Sequence, residues 1–574
     1  MQRYSFTLTC GVVCLAVAAC GGGSGGGGTG LGIGGGRGDD SPPTTPVVDA
    51  KAACIALTGT QVVAESIDLP TGGATVDTAA IVPVSDTNTA GEYCLVTGKI
   101  TPVDQNAQPI SFNVALPTTW NGKAMHLGGG AWDGYLVNAA GASSYGDQPV
   151  PVARGYATFG TDGGHSGEGG DFVGDARFSM NDEMLRNFGG EQLKKMRDVA
   201  VSLIKSRYGA LPSKTYYMGD SGGGREGMVV LQRYAQDYDG IIVGYPALSW
   251  TPTFMKLQLV GRAMRTNGGA GWISPGKSAT IRAALLQSCD ALDGATDSII
   301  ANEAGCKFNY DSLLCPGGGD SGDSCLSSAQ LDVLKLYVSP TPIPYKLAND
   351  IDVLPGFGNP SNLEKGSFVA AFGSTAEFNA PAGGGSPKIA EIGANHWFGE
   401  TMVRSTIMRD LNADTLSFDP LNPDQYLARL QSVSSILDAT NPDIQPFIDR
   451  KGKIIIMHGA VDPLIPAEAT VDYYKSLVNK FGQSVVDTTV RLYLVPGYAH
   501  ASGMSFNATG GLPLLAALES WVEKGEAPAD DIVSTDRNAG AQNRTRPLCR
   551  YPTWPKYKGA GDVNLASSFE CVTQ

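Results

Sequence analysis

Three consecutive blocks decide how the chain is read: KTYYM at 214–218, GDSGGG at 219–224 and REGMVVLQRY at 225–234. The first, with its two tyrosines, predicts a short strand, and the last has helical character. Between them glycines surround Ser221 in the pattern G-x-S-x-G. A strand, such a turn and a helix make a nucleophile elbow. Flanking glycines permit a strained backbone that projects the serine hydroxyl, and the backbone NH of Gly222 can face a developing oxyanion. Ser221 is the candidate nucleophile.

The pattern alone is common, so the residues that could activate the serine carry the weight. KIIIM at 453–457 predicts a buried strand, and HGAVDP at 458–463 places Asp462 on the loop beyond it. RLYLV at 491–495 predicts another strand, and PGYAH at 496–500 ends on His500 in a loop. A neutral imidazole can take the serine proton and return it to a leaving alcohol, while a carboxylate fixes its tautomer and stabilises the imidazolium. Asp462 is the acid candidate and His500 the base candidate; His458 is the alternative base, although its place at the strand end suits a role in shaping the acid turn. The order Ser, acid, His is that of an α/β-hydrolase, so an α/β fold follows. Gly-Asp-Ser-Gly-Gly also surrounds the nucleophile of chymotrypsin-like proteases, but there His and Asp come first. For the second oxyanion donor, the predicted strand Ala124–Leu127 leads into Gly128-Gly129-Gly130, where either Gly129 or Gly130 could supply an NH.

The 574 residues, 42% hydrophobic and 17% charged, are enough for a large core. A net charge of -14 gives no positive field for a phosphate backbone, so nucleic acid is not an expected partner. Residues 1–20 read as a signal peptide, with Arg3 before a short apolar stretch and Val17-Ala18-Ala19-Cys20 like a bacterial lipobox, which makes Cys20 the candidate lipidated residue. A Gly/Pro-rich linker, 21–49, follows. The expectation is an exported protein, an outer-membrane lipoprotein or else periplasmic or secreted, monomeric and touching a membrane only through that anchor. Eight cysteines remain beyond the leader, and sequential pairing is the simplest scheme: Cys54 with Cys94, Cys289 with Cys306, Cys315 with Cys325, Cys549 with Cys571. About 240 residues separate Ser221 from Asp462, more than the core needs, so a large inserted lid domain is expected at 250–440. The hydrolase core then comprises 50–249 and 441–574. Such an insert could wall the acyl site or be a rigid packing module.

Taken together, four stretches resemble the tannase and feruloyl esterase family: ATFGTDGGH at 157–165, YMGDSGGGREG at 217–227, GAVDPLIP at 459–466 with Tyr473-Tyr474, and VPGYAH at 495–500. The resemblance covers nearly all of 50–574. It implies hydrolysis of esters of gallic, ferulic or related aromatic acids through an acyl-enzyme, with a small aromatic ester as substrate. His165 would be structural. CDALDGATDSI at 289–299 resembles the family's calcium loop; carried across, Asp290, Asp293 and Asp297 would offer side-chain oxygens, and Ala295 and Ile299 carbonyls. That Ca2+ would be structural, in the lid and far from the serine; the other reading is a solvated acidic turn. One departure stands out: the family has cysteines just before the nucleophile and just after the histidine, where this chain has Asp220 and Ala501. Asp220 is expected to accept hydrogen bonds from backbone NH groups or from Arg225. The second class of function is a non-catalytic, surface-displayed binding protein on an esterase fold.

Overall fold

A computed structural model describes residues 50–573 apart from 143–145, 147, 168–175, 359–364, 377–388, 502, 504, 511 and 542. The leader, Cys20 and the linker lie outside the described residues.

Continuous apolar runs suit strands covered on both faces, whereas alternation suits a strand with one wet face. Both kinds meet in one ten-stranded sheet. Its first part is antiparallel: β1 (Gln61–Val62), β2 (Ala74–Val82), β3 (Tyr93–Ile100) and β4 (Ile110–Pro117), with β2 alternating between buried and exposed positions. Next come β5 (Lys123–Leu127), β6 (Ala157–Thr161), β7 (Lys214–Asp220) and β8 (Gly240–Gly244). A small hairpin, β9 (Thr341–Pro342) with β10 (Val353–Leu354), precedes the last sheet strands, β11 (Lys453–Gly459) and β12 (Val490–Val495). Spatial order is β1-β2-β3-β4-β6-β5-β7-β8-β11-β12, parallel from β6 onward. All five residues of β8 are buried, as are six of the seven in β11, because helices cover both faces there. Parallel strands send their C-terminal ends to one edge, where loops gather to form a site.

The eight cysteines pair in sequence order, as Cys54–Cys94, Cys289–Cys306, Cys315–Cys325 and Cys549–Cys571. Such cross-links persist in oxidising surroundings, which marks an exported protein. Among the described residues no helix is long and apolar enough to cross a membrane.

Between β8 and β11 the chain is mainly helical, including Trp250–Arg265, Ser328–Val338 and Leu427–Leu437. This insert is anchored by aromatic contact. Trp250 stands 4.9 Å from Trp132 and 5.4 Å from Phe188, both fully buried side chains of the first part of the chain. Phe254 adds a third ring against Trp132 at 5.4 Å. Tyr337 donates a hydrogen bond of 3.1 Å to the carbonyl of Pro463, next to Asp462. The insert therefore touches the loops of the site itself.

Candidate active site

Ser221 ends the run begun by β7 and precedes the helix Gly222–Arg233. Its backbone sits at φ 58°, ψ -117°, a conformation costly for any side-chain-bearing residue. Three backbone hydrogen bonds hold it there: Ser221 NH to the Gly244 carbonyl, and Arg225 NH and Ala247 NH to the Ser221 carbonyl, at 3.0–3.1 Å. Gly223 must be glycine because a Cβ there would lie 2.6 Å from the carbonyl oxygen of Gly129. Gly222 opens the helix, so its NH has no partner within it.

His500 and Asp462 come to this serine from the ends of β12 and β11. Ser221 Oγ is 2.9 Å from His500 Nε2, and His500 Nδ1 is 2.7 Å from Asp462 Oδ2. Asp462 is buried, and its Oδ1 accepts the NH groups of Leu464 and Ile465 at 2.8 and 2.9 Å. Burial works against its ionisation, but the charge of His500 and hydrogen bonds from His458 and His500 hold its carboxyl well below the usual range. His500 is 15% exposed. Burial opposes its protonation too, yet the charge and hydrogen bond of Asp462 and the charge of Asp220 raise its basicity.

The other histidines are occupied elsewhere. His458 Nδ1 meets Thr470 Oγ1 at 2.8 Å and its Nε2 meets the Ile465 carbonyl at 3.1 Å, so it braces the acid turn. His165 stacks on Phe178 with centroids 3.7 Å apart, a packing role. Burial pushes His126 and His396 down to about 3.

The glycine loop corrects one expectation. Gly129 NH donates to Glu226 Oε2 at 3.2 Å and Gly130 NH to Asp133 Oδ1 at 2.7 Å, so these buried carboxylates already take both amides proposed as the second oxyanion donor. Nothing in the local sequence marks Glu226 and Asp133 as their acceptors. A second correction concerns Arg225, which is fully buried and does not serve Asp220. Its guanidinium donates to the carbonyls of Phe188 at 2.6 Å and Leu437 at 3.4 Å, and lies over the rings of Phe188 and Trp250. Asp220 Oδ2 instead accepts the hydroxyl of Tyr245 at 2.6 Å.

A cavity of about 280 Å³ opens beside the elbow, lined by residues including Leu127, Gly128, Tyr135, Val137 and Asp220. A larger one of about 480 Å³, between the β9–β10 hairpin and the helix Ala467–Phe481, includes none of the three residues Ser221, Asp462 and His500.

The acidic loop of the insert lies close to the histidine's strand. Ile299, Asp293 and Asp297 line a crevice with Val495, Pro496 and Phe506, where β12 gives way to the His500 loop. Asp290 Oδ1 is buried without a hydrogen-bond partner, and Oδ2 accepts Ser298 NH at 3.1 Å. Asp293 accepts the NH groups of Ala295 and Ala301 at 2.9 and 3.0 Å; burial, with the charges of Asp297 and Asp290, pushes it up to about 6. Asp297 pairs with Arg546. Among the described residues no three His, Cys, Asp or Glu side chains are grouped to hold a metal ion by themselves. An orphaned carboxylate oxygen among mutually repelling carboxylates nonetheless suits a hard cation completed by backbone carbonyls.

Comparison with solved structures matches this architecture to feruloyl esterase B from Aspergillus oryzae, with a TM-score of 0.73 at 22% identity, over 91% of this chain and all of that one. A tannin acyl hydrolase from Aspergillus niger gives 0.66 at 24% identity, over 89% and 94%. Among sequences, an uncharacterized esterase of Agrobacterium fabrum is 37% identical over 91% of this chain and 94% of its own. The mono(2-hydroxyethyl) terephthalate hydrolase of Piscinibacter sakaiensis is 30% identical over 84% and 85%. Fold and relatives define a carboxylic ester hydrolase of the α/β-hydrolase type. The family model for tannase and feruloyl esterase matches residues 94–572. The chain belongs to that family, and an esterase fold kept only for binding is set aside.

Proposed function

We propose that this enzyme cleaves esters of aromatic acids by a serine mechanism. The observation that carries the reading is the continuous hydrogen-bonded chain from Ser221 through His500 to Asp462, built on a strained elbow. His500 Nε2 takes the hydroxyl proton as Ser221 Oγ adds to the ester carbonyl carbon. The carbonyl oxygen becomes an oxyanion facing Gly222 NH. Collapse expels the alcohol, which takes the proton from His500 and leaves an acyl-serine. Water then repeats both steps: it gives a proton to His500, releases the acid and regenerates the serine. The names of the relatives, feruloyl, tannin and terephthalate ester hydrolases, support an aromatic acyl group.

The same reading includes a structural Ca2+ held by Asp290, Asp293 and Asp297 with the carbonyls of Ala295 and Ile299, a lid role for residues 250–440, and lipidation at Cys20. When bound, the ion would neutralise the crowded carboxylates and take no part in the chemistry.

The decisive experiment measures hydrolysis of methyl ferulate, methyl gallate and a terephthalate monoester by the native enzyme and by Ser221→Ala and His500→Ala. Each substitution is expected to lower kcat by several orders of magnitude, about 10⁴-fold or more, with the double variant little worse. Additive losses, or full activity without Ser221, would overturn the mechanism.

A further inference from the structure

Asp220 is the last residue of β7, directly before the nucleophile, and its carboxylate is committed to Tyr245. Tyr245 follows β8 and is fully buried. Its backbone is set at φ 32°, and its NH donates to the Met457 carbonyl of β11 at 2.6 Å. The ring is thus fixed from two strands. It stands 4.7 Å from the imidazole of His500 at an interplanar angle of 59°. The imidazole therefore has Asp462 on one nitrogen, Ser221 on the other, and the Tyr245 ring beside it. The Asp220–Tyr245 hydrogen bond ties the hydroxyl end of that ring to β7.

We infer that Asp220 is a positioning residue for His500: through the Tyr245 hydroxyl it holds the aromatic wall beside the imidazole, and its carboxylate gives the imidazolium a second negative neighbour. This inference rests on the serine mechanism above. The ionisable groups around His500 come from four elements: Asp462 after β11, with His458 bracing it; Asp220 at the end of β7; Tyr245 after β8; and Tyr498 on its own loop. Tyr135, on the loop after β5, faces Asp220 across the 280 Å³ cavity. Two carboxylates then favour the protonated ring, and a bond to the neutral phenol keeps the second one in place without neutralising it.

The sign of the effect follows. His500 must be neutral to accept the serine proton, so activity falls as pH drops through its pKa. Removing the Asp220 charge lowers that pKa and moves the acid limb of kcat/KM to lower pH. The test is the pH profile of an aryl ester hydrolysed by the native enzyme, measured from about pH 5 to about pH 9 for Asp220→Asn, Tyr245→Phe and Ser221→Ala. Asp220→Asn should shift the acid limb down by roughly half a unit or more. It should also lower kcat about tenfold with KM little changed, since only the base is misplaced. Tyr245→Phe, which keeps the charge but loses the bond, should lower kcat and leave the acid limb where it was. An Asp220→Asn enzyme with an unmoved limb and unmoved kcat overturns the inference; if that variant does not fold, unchanged kcat in Tyr245→Phe overturns it. An active Ser221→Ala enzyme would instead show that the serine mechanism had failed.

Discussion

At the scale of single residues, the site depends on side chains whose partners come from distant parts of the chain. Ser221 can hold φ 58° only because the carbonyl of Gly244 and the amides of Arg225 and Ala247 grip it from both sides. Arg225 secures the helix behind it by binding the carbonyls of Phe188 and Leu437 beneath two aromatic rings. Replacing Arg225 by Met should cost about 3 kcal/mol or more, since two buried carbonyls lose a charged donor and the cation–π contact is lost. Denaturant unfolding would read this as a lower midpoint, and an unchanged midpoint would show that the guanidinium contributes nothing net. Ser221, Asp462 and His500 were legible because each follows a strand-like run and the order of types is restrictive. The acceptors of Gly129 and Gly130 were not, because Asp133 and Glu226 look like ordinary polar positions until the fold buries them.

Among the elements, the parallel strands β7, β8, β11 and β12 do most to build the site, since their ends bring the nucleophile, the tyrosine wall, the acid and the base to one edge. Ser221 and His500 touch, which brings the end of β7 with Asp220 toward the loop that carries Ala501. Asp220→Cys together with Ala501→Cys is expected to form a disulfide in the oxidised protein. Closing a loop of about 280 residues would stabilise by roughly 5 kcal/mol in the chain-entropy model, less any strain. Ala501 is already in the left-handed region at φ 53°, so cysteine there adds no new backbone demand. Mass spectrometry of the non-reduced double variant decides the matter: two free thiols in folded protein would mean that the loops are not held edge to edge. Strand identity was readable from apolar runs such as Ile454-Ile455-Ile456, but which strand lies beside which was not, because register is chosen by pairing across the sheet.

For the whole molecule, the acidic loop ties the insert to the C-terminal part of the chain. Asp297 of the acidic loop pairs with Arg546 of the strand Thr545–Cys549, and the loop seats against Val495 and Pro496. The loop lies beside the segment that leads to His500 and shares no lining residue with Ser221. Chelation should therefore lower the melting temperature by roughly 5 °C or more. It should also weaken activity through the His500 loop before global unfolding. Metal analysis finding no calcium, with no thermal response to added calcium, would refute this. By itself the sequence determined the α/β class and the elbow and pointed to the three candidate site residues and the simplest cysteine pairing, because these follow from local periodicity, from glycines at a tight turn and from nearest-neighbour spacing. Tertiary structure alone decided that Tyr245 rather than Arg225 holds Asp220, that Gly129 and Gly130 are already bonded, and that the acidic loop supports β12. Apart from Gly130 with Asp133, three residues on, each of those is a contact between residues far apart in the chain, and burial and sheet order choose such partners without leaving a local pattern.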